Sequence, residues 1–414
     1  MHVCMLVTTD ITNDPRVMKE ATALAQAGYA VQVIGICRTG TEPVTDIFAN
    51  VAMQRLDLWH LRLGRLLKAR RGRPVTQGLF DNTTSQKQSP RLSWRGWLIN
   101  MLRQVQLLIH LLTVLWVYVF AAGRQQADVY HAHDVDTLLP ALVVGWWFKK
   151  PVVYDAHEYW YNERRNEFII NAIIRWIERI GTPRCAYVFA VNRSIAERMA
   201  IHYGITLPTV LMNVPADVPL QPPTPLPDDQ PVQLLYHGGY LAQRGIESLI
   251  TAMNLVKAPV HLTLRGYGNI ELALRAQVEA LGLQNKITFA PPVPMSELCK
   301  AASACHIGII PYSKQVAEFA LPNKIFEYMA AGLALICNDL IEFRNIVIGH
   351  KLGIVCNTDF VEAIAKAIDE LVSDRCALEQ YRQRAWQVYD DYYTWKQHQQ
   401  VLLDVYSKLA SSYS

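Results

Sequence analysis

Short apolar runs alternate along the chain with stretches whose apolar residues recur at helical spacing. At the start, HVCMLVT and YAVQVIGI are strand-like runs, and the stretch between them places Val17, Ala21 and Leu24 on one face before Gly28. This strand–helix–strand order predicts a βαβ unit with parallel strands. Later runs such as DVYHAHD and PVVYDAHE are apolar and then end in polar residues. The pattern predicts an α/β protein with doubly wound, Rossmann-like sheets that bind ligands at the carboxyl ends of their strands.

A proline-rich segment divides the chain. Seven prolines lie between Pro215 and Pro231, a density that prevents regular structure, and the α/β alternation restarts after them. We therefore predict two doubly wound domains that face a cleft. The predicted segments are an N-terminal, acceptor-binding domain over 1–213 with an insertion at 60–122, a linker over 214–232, a donor domain over 233–385, and C-terminal helices over 386–414 that pack back across the cleft.

The insertion contains an apolar stretch and a basic stretch. Residues 107–122 carry no formal charge, but they are fewer than the roughly 20 apolar residues that a spanning helix needs. A buried helix is the favoured interpretation, and contact with a membrane is the alternative. Residues 62–91 form a polar segment with six Lys and Arg residues between 62 and 73. They predict either a solvated loop or a patch for anionic lipid headgroups. Nucleic acid is not expected as a partner, because stacking aromatic residues are not interleaved with these charges.

Composition adds little beyond this. The 414 residues suit two domains, and an apolar fraction of 51% excludes a disordered chain. Residues 1–213 carry 24 Lys and Arg against 16 Asp and Glu, whereas residues 214–414 carry 16 against 20. None of the eight cysteines forms a C-x-x-C motif, and the N-terminus resembles a first strand rather than a signal peptide. We expect a cytoplasmic protein that is peripheral to the inner face of the cell membrane.

Two segments of the second half suit an anionic ligand. In HGGYLAQRGIESL, Gly238 and Gly239 permit close approach of the backbone to a phosphate, and Arg244 can form a bidentate contact, although glycines can also serve only the turn. A second glycine turn, LRGYGN, contains Gly266 and could admit a nucleotide base.

The segment ALPNKIFEYMAAG carries the other candidate groups. Pro322 suits the first helical position, which places Asn323 and Lys324 in the first turn. A lysine there is unfavourable unless an anion binds. Glu327 lies on nearly the same face and could accept hydrogen bonds from a ribose diol. The alternative is a plain surface pair between Lys324 and Glu327.

A group of polar residues lies at the ends of the middle strands and allows two interpretations. The residues of this group are His131, His133, Asp134, Asp136, Asp155, His157 and Glu158. H-x-H and D-x-H could assemble a hydrolytic metal centre. These residues would also line a cleft without any metal, and Asp134 would serve as the N-cap of a helix. We favour the second interpretation and predict no metal.

The order and spacing of these segments resemble the GT-B-fold glycosyltransferases of family 4, the glycosyl transferases group 1, over almost the whole chain. The resemblance lies in NDPRVMKEATALAQAGYAVQVI, ADVYHAHDVDTLLPAL, PVVYDAHE, HGGYLAQRGIESLI, LTLRGYGN, ALPNKIFEYMAAGLALICND and the tail that contains Trp395. It implies a metal-independent hexosyltransferase that uses a UDP- or GDP-type sugar donor, needs no cofactor and retains the anomeric configuration.

Residue by residue, the resemblance implies the following roles. His157 matches the family's histidine beside the transferred sugar. Arg244 matches the position of a diphosphate-binding lysine, while Gly239 stands where the family has an arginine, a contact that Lys324 can replace. Glu327 matches the second of two paired glutamates, the ribose ligand. The first has no match eight positions earlier, at Phe319, and Glu318 fits only with an insertion.

The acceptor is expected on the first domain, near Arg16, His133 and Asp134. Arg16 could contact a phosphate or pair with a carboxylate nearby. A saccharide or a lipid-linked acceptor would suit an enzyme of cell-surface polysaccharide or glycolipid synthesis. The missing glutamate and arginine leave two alternatives open: a catalytically impaired scaffold or regulatory protein, and a nucleotide-sugar epimerase.

Overall fold

The computed structural model describes residues 1–11, 14–37, 44–58, 94–157, 168–216, 221–226, 230–314, 318–319 and 321–413. They form two compact units. The first comprises residues 1–212 and 399–414, and the second comprises residues 213–398. The basic stretch 62–73, Glu158 and parts of the proline-rich linker lie outside the described residues.

The first unit is built on a sheet of eight strands in the order β3-β4-β2-β1-β5-β6-β7-β8, parallel except for β3. Its strands are β1 (His2–Leu6), β2 (Ala30–Ile36), β3 (Thr45–Phe48), β4 (Val51–Leu56), β5 (Val129–His133), β6 (Val152–Ala156), β7 (Tyr187–Ala190) and β8 (Thr209–Val210). Its helices are α1 (Pro15–Gln26), α2 (Trp94–Gly123), α3 (Val135–Phe148), α4 (Phe168–Gly181) and α5 (Arg193–Tyr203), with a 3₁₀ turn at Thr182–Arg184.

The second unit is built on six parallel strands in the order β11-β10-β9-β12-β13-β14. Its strands are β9 (Val232–His237), β10 (Val260–Arg265), β11 (Ile287–Ala290), β12 (Ile307–Ile310), β13 (Ala334–Asn338) and β14 (Gly353–Cys356). Its helices are α6 (Ile246–Leu255), α7 (Glu271–Ala280), α8 (Leu298–Ala302), α9 (Lys324–Ala330), α10 (Ile341–Phe343), α11 (Val361–Ser373) and α12 (Arg375–Tyr392), with a 3₁₀ turn at Met295–Glu297 and a π-helical turn at Arg344–Ile348. The last helix, α13 (Trp395–Tyr413), belongs to the first unit from Gln399 onward.

Both sheets are wound in two directions from a central pair of strands. In the first unit the order reverses between β1 and β5, and in the second between β9 and β12. Buried, nearly continuous apolar strands such as VVYDA and LLYH explain these sheets, because helices cover both faces of a parallel sheet. Ligands of such sheets bind at the carboxyl ends of the strands beside the reversal. The fold therefore directs attention to the residues that follow β1 and β5, and to those that follow β9 and β12.

The apolar helix differs from the expectation. Residues 107–122 lie within the thirty-residue helix α2, but only a third of its most apolar part, Gln104–Gly123, is buried. Val114 and Tyr118 face the core, and the Tyr118 hydroxyl donates to the Val7 carbonyl at 2.5 Å. Trp116 and Phe120 are exposed. The prediction of a buried helix is therefore wrong for most of α2. The helix is apolar on all sides, so its sequence does not show which side the rest of the protein covers. Among the described residues, α2 is the one helix long and apolar enough to cross a membrane.

Candidate functional site

A buried ionic cluster lies at the carboxyl ends of β1, β5 and β6 in the first unit. Arg16, on α1, reaches Asp155 of β6 with Nε at 2.8 Å and Nη2 at 2.5 Å from the two carboxylate oxygens. Its Nε atom also lies 3.2 Å from the Glu20 carboxylate, one helical turn further along α1. All three side chains are almost completely buried. Of the two roles that the sequence allowed for Arg16, the structure shows pairing with carboxylates.

His157 sits between two carboxylates at the edge of this cluster. Its Nε2 atom lies 2.9 Å from Asp155 and its Nδ1 atom lies 3.4 Å from Asp134, while its backbone amide donates to Asp134 at 3.0 Å. Burial by itself lowers the pKa of His157, but Asp134 and Asp155 outweigh burial and raise it to about 9. The imidazole is therefore a cation at neutral pH. Burial would raise the pKa of Asp155, yet Arg16 and His157 hold it well below its usual value.

Asp134 has an uncommon backbone conformation. It precedes α3 at the N-cap position, with a φ angle of 63°, and its side chain makes no capping hydrogen bond. The prediction that Asp134 caps the helix is therefore wrong. Its carboxylate accepts the His157 amide instead, so the conformation at Asp134 serves to hold the histidine.

Two further histidines lie beneath His157. His133 is completely buried, and its Nδ1 atom lies 3.2 Å from Nε2 of His157 and 3.3 Å from Asp155. The ring of His131 stacks on that of His133 at a centroid distance of 4.3 Å. His131 Nδ1 lies 2.9 Å from the hydroxyl of Tyr406, on α13. Burial lowers the pKa of both His131 and His133, so His157 is the charged histidine of the three.

The same cluster contains a possible set of metal ligands. Glu20, His131, His133 and Asp155 each offer a ligand atom, and these atoms lie within 4.8 Å of one another. The Arg16 guanidinium already pairs with both carboxylates, and a divalent cation beside it would face a permanent positive charge. Burial and the Asp155 charge raise the pKa of Glu20. We therefore interpret the cluster as an ionic network and assign no metal to it.

In the second unit, a buried lysine faces the glycine turn that follows β9. Lys324 is 7% exposed, and its Nζ atom lies 4.2 Å from the ring centroid of Tyr236 and 4.8 Å from that of Tyr312. A Cβ atom added at Gly238, whose φ angle is 128°, would come within 3.0 Å of this Nζ atom. No carboxylate oxygen of the described residues pairs with the ammonium group. Burial lowers the pKa of Lys324, with Tyr312 acting in the opposite direction.

Arg244 lies beside the same tyrosine as Lys324. Its guanidinium carbon is 4.4 Å from the ring centroid of Tyr312, so one tyrosine contacts both cations. Tyr312 follows β12, at the reversal point of this sheet. The structure thus brings Gly238, Arg244 and Lys324 together, three of the residues that the sequence proposed for an anionic ligand.

Glu327 pairs with a histidine that the sequence did not single out. Its carboxylate lies 2.6 Å from Nε2 of His237, the last residue of β9, and both side chains are buried. The backbone amide of His237 donates to the hydroxyl oxygen of Tyr328 at 2.9 Å, which ties the end of β9 to α9. The alternative prediction of a surface pair between Lys324 and Glu327 is therefore wrong, because Glu327 is buried and pairs with His237.

The remaining predicted residues lie in turns around the glycine turn and α9. Gly266 has a φ angle of 154°, and any Cβ atom there would collide with the Gly238 carbonyl, so the two glycine turns touch. Gly239 is exposed beside Gly238. The helix α9 begins at Lys324, so Pro322 and Asn323 precede its first turn rather than form it. Glu318 lies exposed in a turn whose neighbours are outside the described residues.

Several members of the two clusters are not apparent from the sequence. They are Glu20, Tyr236, His237 and Tyr406, which lie inside otherwise ordinary strands and helices, and Tyr312, which follows β12. Their roles depend on contacts across long sequence separations, for example 275 residues between His131 and Tyr406. The one available signal was the position of His237 and Tyr312 at the ends of predicted strands.

Comparison with known proteins identifies the fold and the family. Residues 231–374 match the family described as Glycosyl transferases group 1, and residues 101–212 match Glycosyltransferase Family 4. Both units therefore match glycosyltransferase families of the group 1 type. Its fold is GT-B, with two parallel-sheet α/β units, as the sequence predicted.

Three relatives show this similarity at low sequence identity. A glycogen synthase of Mycobacterium tuberculosis is 22% identical over 390 residues, which cover 91% of this chain and 86% of that protein. Sucrose-phosphate synthase from Thermosynechococcus elongatus superposes with a TM-score of 0.74 at 15% identity, over 99% of both chains. Anabaena HepE in complex with UDP and glucose superposes with a TM-score of 0.67 at 14% identity, over 99% of this chain and all of the other.

Proposed function

We propose that this glycosyltransferase moves a hexose from a UDP- or GDP-type sugar, with retention of configuration, to a saccharide or lipid-linked acceptor. The proposal includes a role in the synthesis of cell-surface polysaccharide or glycolipid. The observation that carries it is Lys324, a buried cation without a carboxylate partner among the described residues, next to a glycine turn. A buried ammonium group is costly unless an anion compensates it. A nucleoside diphosphate supplies such an anion, and the structure of Anabaena HepE is a complex with UDP and glucose.

The donor contacts follow from this placement. We assign the diphosphate to Lys324, Arg244 and the backbone at Gly238, because a side chain at Gly238 would exclude it. Glu327 is fixed by His237 through one carboxylate oxygen, which leaves the other oxygen for the ribose hydroxyls. The turn at Gly266 borders the base.

The chemistry that we propose is substitution at the anomeric carbon from the face of the leaving group. The acceptor hydroxyl oxygen forms the new bond to this carbon, the bond to the diphosphate oxygen breaks, and the hydroxyl proton passes to the departing phosphate. Lys324 and Arg244 stabilise the negative charge that develops on the diphosphate. Two fixed cations can supply the neutralisation that a divalent ion would otherwise provide, which supports a metal-independent reaction.

His157 has a defined part in this proposal. Both ring nitrogens face carboxylates and the ring is charged at neutral pH, so it cannot act as a general base. We propose that His157 donates a hydrogen bond from Nδ1 to the sugar or the acceptor, because Nδ1 has the longer of its two carboxylate contacts. Asp134 and Asp155 orient the ring, and His133 acts through His157 because it is buried.

Location at the inner face of the cell membrane is part of the same proposal. The exposed stripe of α2 contains Leu112, Trp116 and Phe120, and exposed Trp146 and Trp147 end α3 beside Lys149 and Lys150. Tryptophan and lysine next to apolar surface suit a lipid–water interface. Co-sedimentation with phosphatidylglycerol vesicles, but not with phosphatidylcholine vesicles, supports this location. Equal recovery in the supernatant with both counts against it.

The donor proposal is tested with a panel of nucleotide sugars. Mass spectrometry should detect release of one nucleoside diphosphate, and EDTA should leave the rate unchanged. Release of an epimerised donor would instead indicate an isomerase, and failure to bind any donor would indicate a scaffold.

A matched pair of variants tests the assignment of Lys324. Lys324→Met should weaken UDP binding by about 10- to 100-fold, the range expected for a charged hydrogen bond. Lys286→Met, which removes an exposed lysine of the same unit, should leave binding unchanged. Equal affinities of the two variants, measured by titration calorimetry, would contradict the assignment.

A further inference from the structure

Three helices of the first unit enclose an apolar groove. Its described lining consists of Leu108, Leu111, Leu112 and Leu115 of α2, Val135, Asp136, Leu139 and Pro140 of α3, and Ile173, Ile174 and Ile177 of α4. Asp136 is the single charged member, and the groove, which is partly open to solvent, has a volume of about 90 Å³. An apolar lining of this kind favours hydrocarbon over water as an occupant.

One end of the groove adjoins the ionic cluster. Val135 and Asp136 line the groove, and they directly follow Asp134, whose carboxylate holds His157. Leu139 and Pro140 lie one helical turn further along α3, which is about 5 Å along the helix axis. A ligand with its polar end at His157 therefore has an apolar surface within reach of a few carbon atoms.

The other side of the groove continues into the exposed surface of α2. Leu108 and Leu112 belong to both, because they line the groove and are 39% and 49% exposed. With Val105, Trp116 and Phe120 they form a stripe at intervals of three and four residues, which is one face of a helix. A hydrocarbon chain could therefore enter the groove sideways, from an apolar phase that contacts this stripe.

We propose that the groove holds the hydrocarbon chain of an amphiphilic acceptor, whose hydroxyl-bearing head lies at His157. The inference rests on the proposed function, since it names the class of acceptor that the same cluster serves. A polar head beside Asp134 and an apolar tail along α2, α3 and α4 match the order of polar and apolar surface along α3. A second copy of the chain or a peptide would cover the stripe but has no need of a narrow groove whose lining includes the two residues that follow Asp134.

The test uses hexyl, octyl and decyl β-glucosides below their micellar concentrations, titrated into the full chain in the presence of UDP. The affinity should rise with chain length, by about fourfold for each methylene that enters the groove. An affinity that does not depend on chain length overturns the inference.

Matched variants locate the effect. The double variant Leu108→Gln, Leu112→Gln should lower the affinity for decyl glucoside at least tenfold and flatten the chain-length series. Both leucines are already partly exposed, so the fold is expected to tolerate the change. Leu207→Gln alters a leucine of the same unit that is 44% exposed and outside the groove lining, and it should have no effect. Equal losses in both variants overturn the inference.

Two further measurements separate the remaining outcomes. Sedimentation velocity should show the same oligomeric state for the double variant and the unsubstituted chain, and dissociation of a dimer would instead assign the stripe to a second copy and overturn the proposal. UDP affinity, measured in the same samples, reports on the donor site alone. Chain-length dependence without UDP binding would count against the proposed function, whereas UDP binding without chain-length dependence would count against the groove.

Discussion

The charge on His157 is set by individual neighbours. Burial favours the neutral ring, and the two carboxylates at its nitrogens reverse that preference, so its pKa is raised to about 9. Asp155 is itself compensated by Arg16, whereas Asp134 faces His157 with both its oxygens. Asp134 is therefore the residue whose removal should change the charge state of the ring most cleanly.

Asp134→Asn should lower the pKa of His157 and reduce the rate of sugar transfer more than it weakens UDP binding. Asparagine tolerates the positive φ angle at this position, so the backbone should be retained. The pKa is measured by NMR titration of the histidine ring. Asp128→Asn, which removes a carboxylate of the same unit that pairs with Lys150 outside the cluster, is the control. An unchanged His157 pKa in Asp134→Asn would contradict the role assigned to Asp134.

A second residue prediction concerns the contact between the glycine turns. Gly266→Ala should lower the free energy of unfolding by about 2 to 4 kcal/mol, through strain at φ and collision with the Gly238 carbonyl, and it should abolish UDP binding. Gly282→Ala is the comparison, because Gly282 also has a positive φ angle but open space around it. We expect it to cost about 1 to 2 kcal/mol and to leave UDP binding intact. Urea denaturation and calorimetry distinguish the two.

At the scale of the elements, α13 docks on the sheet of the first unit through Tyr406. This hydroxyl contacts His131 Nδ1, and the ring lies 5.9 Å from that of Tyr29. Tyr406→Phe keeps the ring but leaves His131 Nδ1 buried without this partner. The variant should be about 1 to 3 kcal/mol less stable in urea. Ser411→Ala, on the exposed end of the same helix, should be close to neutral. Equal midpoints for the two variants would mean that Tyr406 does not anchor the helix.

Elements differed in how well the sequence predicted them. Alternating strands and helices placed β1, α1 and β2 correctly, because a buried parallel sheet requires continuous apolar strands and a helix between them. The extent and exposure of α2 could not be predicted, since its surface is apolar on more than one side and tertiary packing decides which side is covered. The start of α9 was two residues out, as helix ends commonly are.

At the scale of the whole molecule, the chemistry of each cluster was only partly visible in the sequence. Lys324 and Arg244 stood out because a cation at a turn or helix start needs an explanation. Tyr312 did not, although it contacts both, because a tyrosine after a strand is unremarkable until the fold brings the three together. Arg16 and Asp155 are 139 residues apart in sequence, so their pairing depends on the register of β6 beside β5.

The ionic cluster should make the stability of the whole chain depend on pH. His157 has its pKa raised to about 9 in the folded protein, against about 6.5 when unfolded. The folded state then binds more protons between these values, so its stability is fully present below about pH 6.5 and is lost as the pH rises through 9. The loss from this group amounts to at most about 3 kcal/mol. Burial also raises the pKa of Glu20, so this group likewise lowers the stability of the folded state as the pH rises, beginning at a lower pH than His157. The depressed pKa of Asp155 stabilises the folded state throughout this range, and that stability is lost only in acid.

Urea midpoints measured between about pH 7 and pH 9 should therefore fall for the unsubstituted chain. His157→Gln should be less stable at neutral pH and should lose most of this slope, because glutamine cannot bind the proton that distinguishes the folded state. His261→Gln removes a histidine of the second unit, outside the cluster, and should retain the slope. The difference between the two variants isolates the contribution of His157. A slope in His157→Gln as steep as that in His261→Gln would show that the ring is not the cation that the two carboxylates require, because Glu20 alone accounts only for a smaller slope.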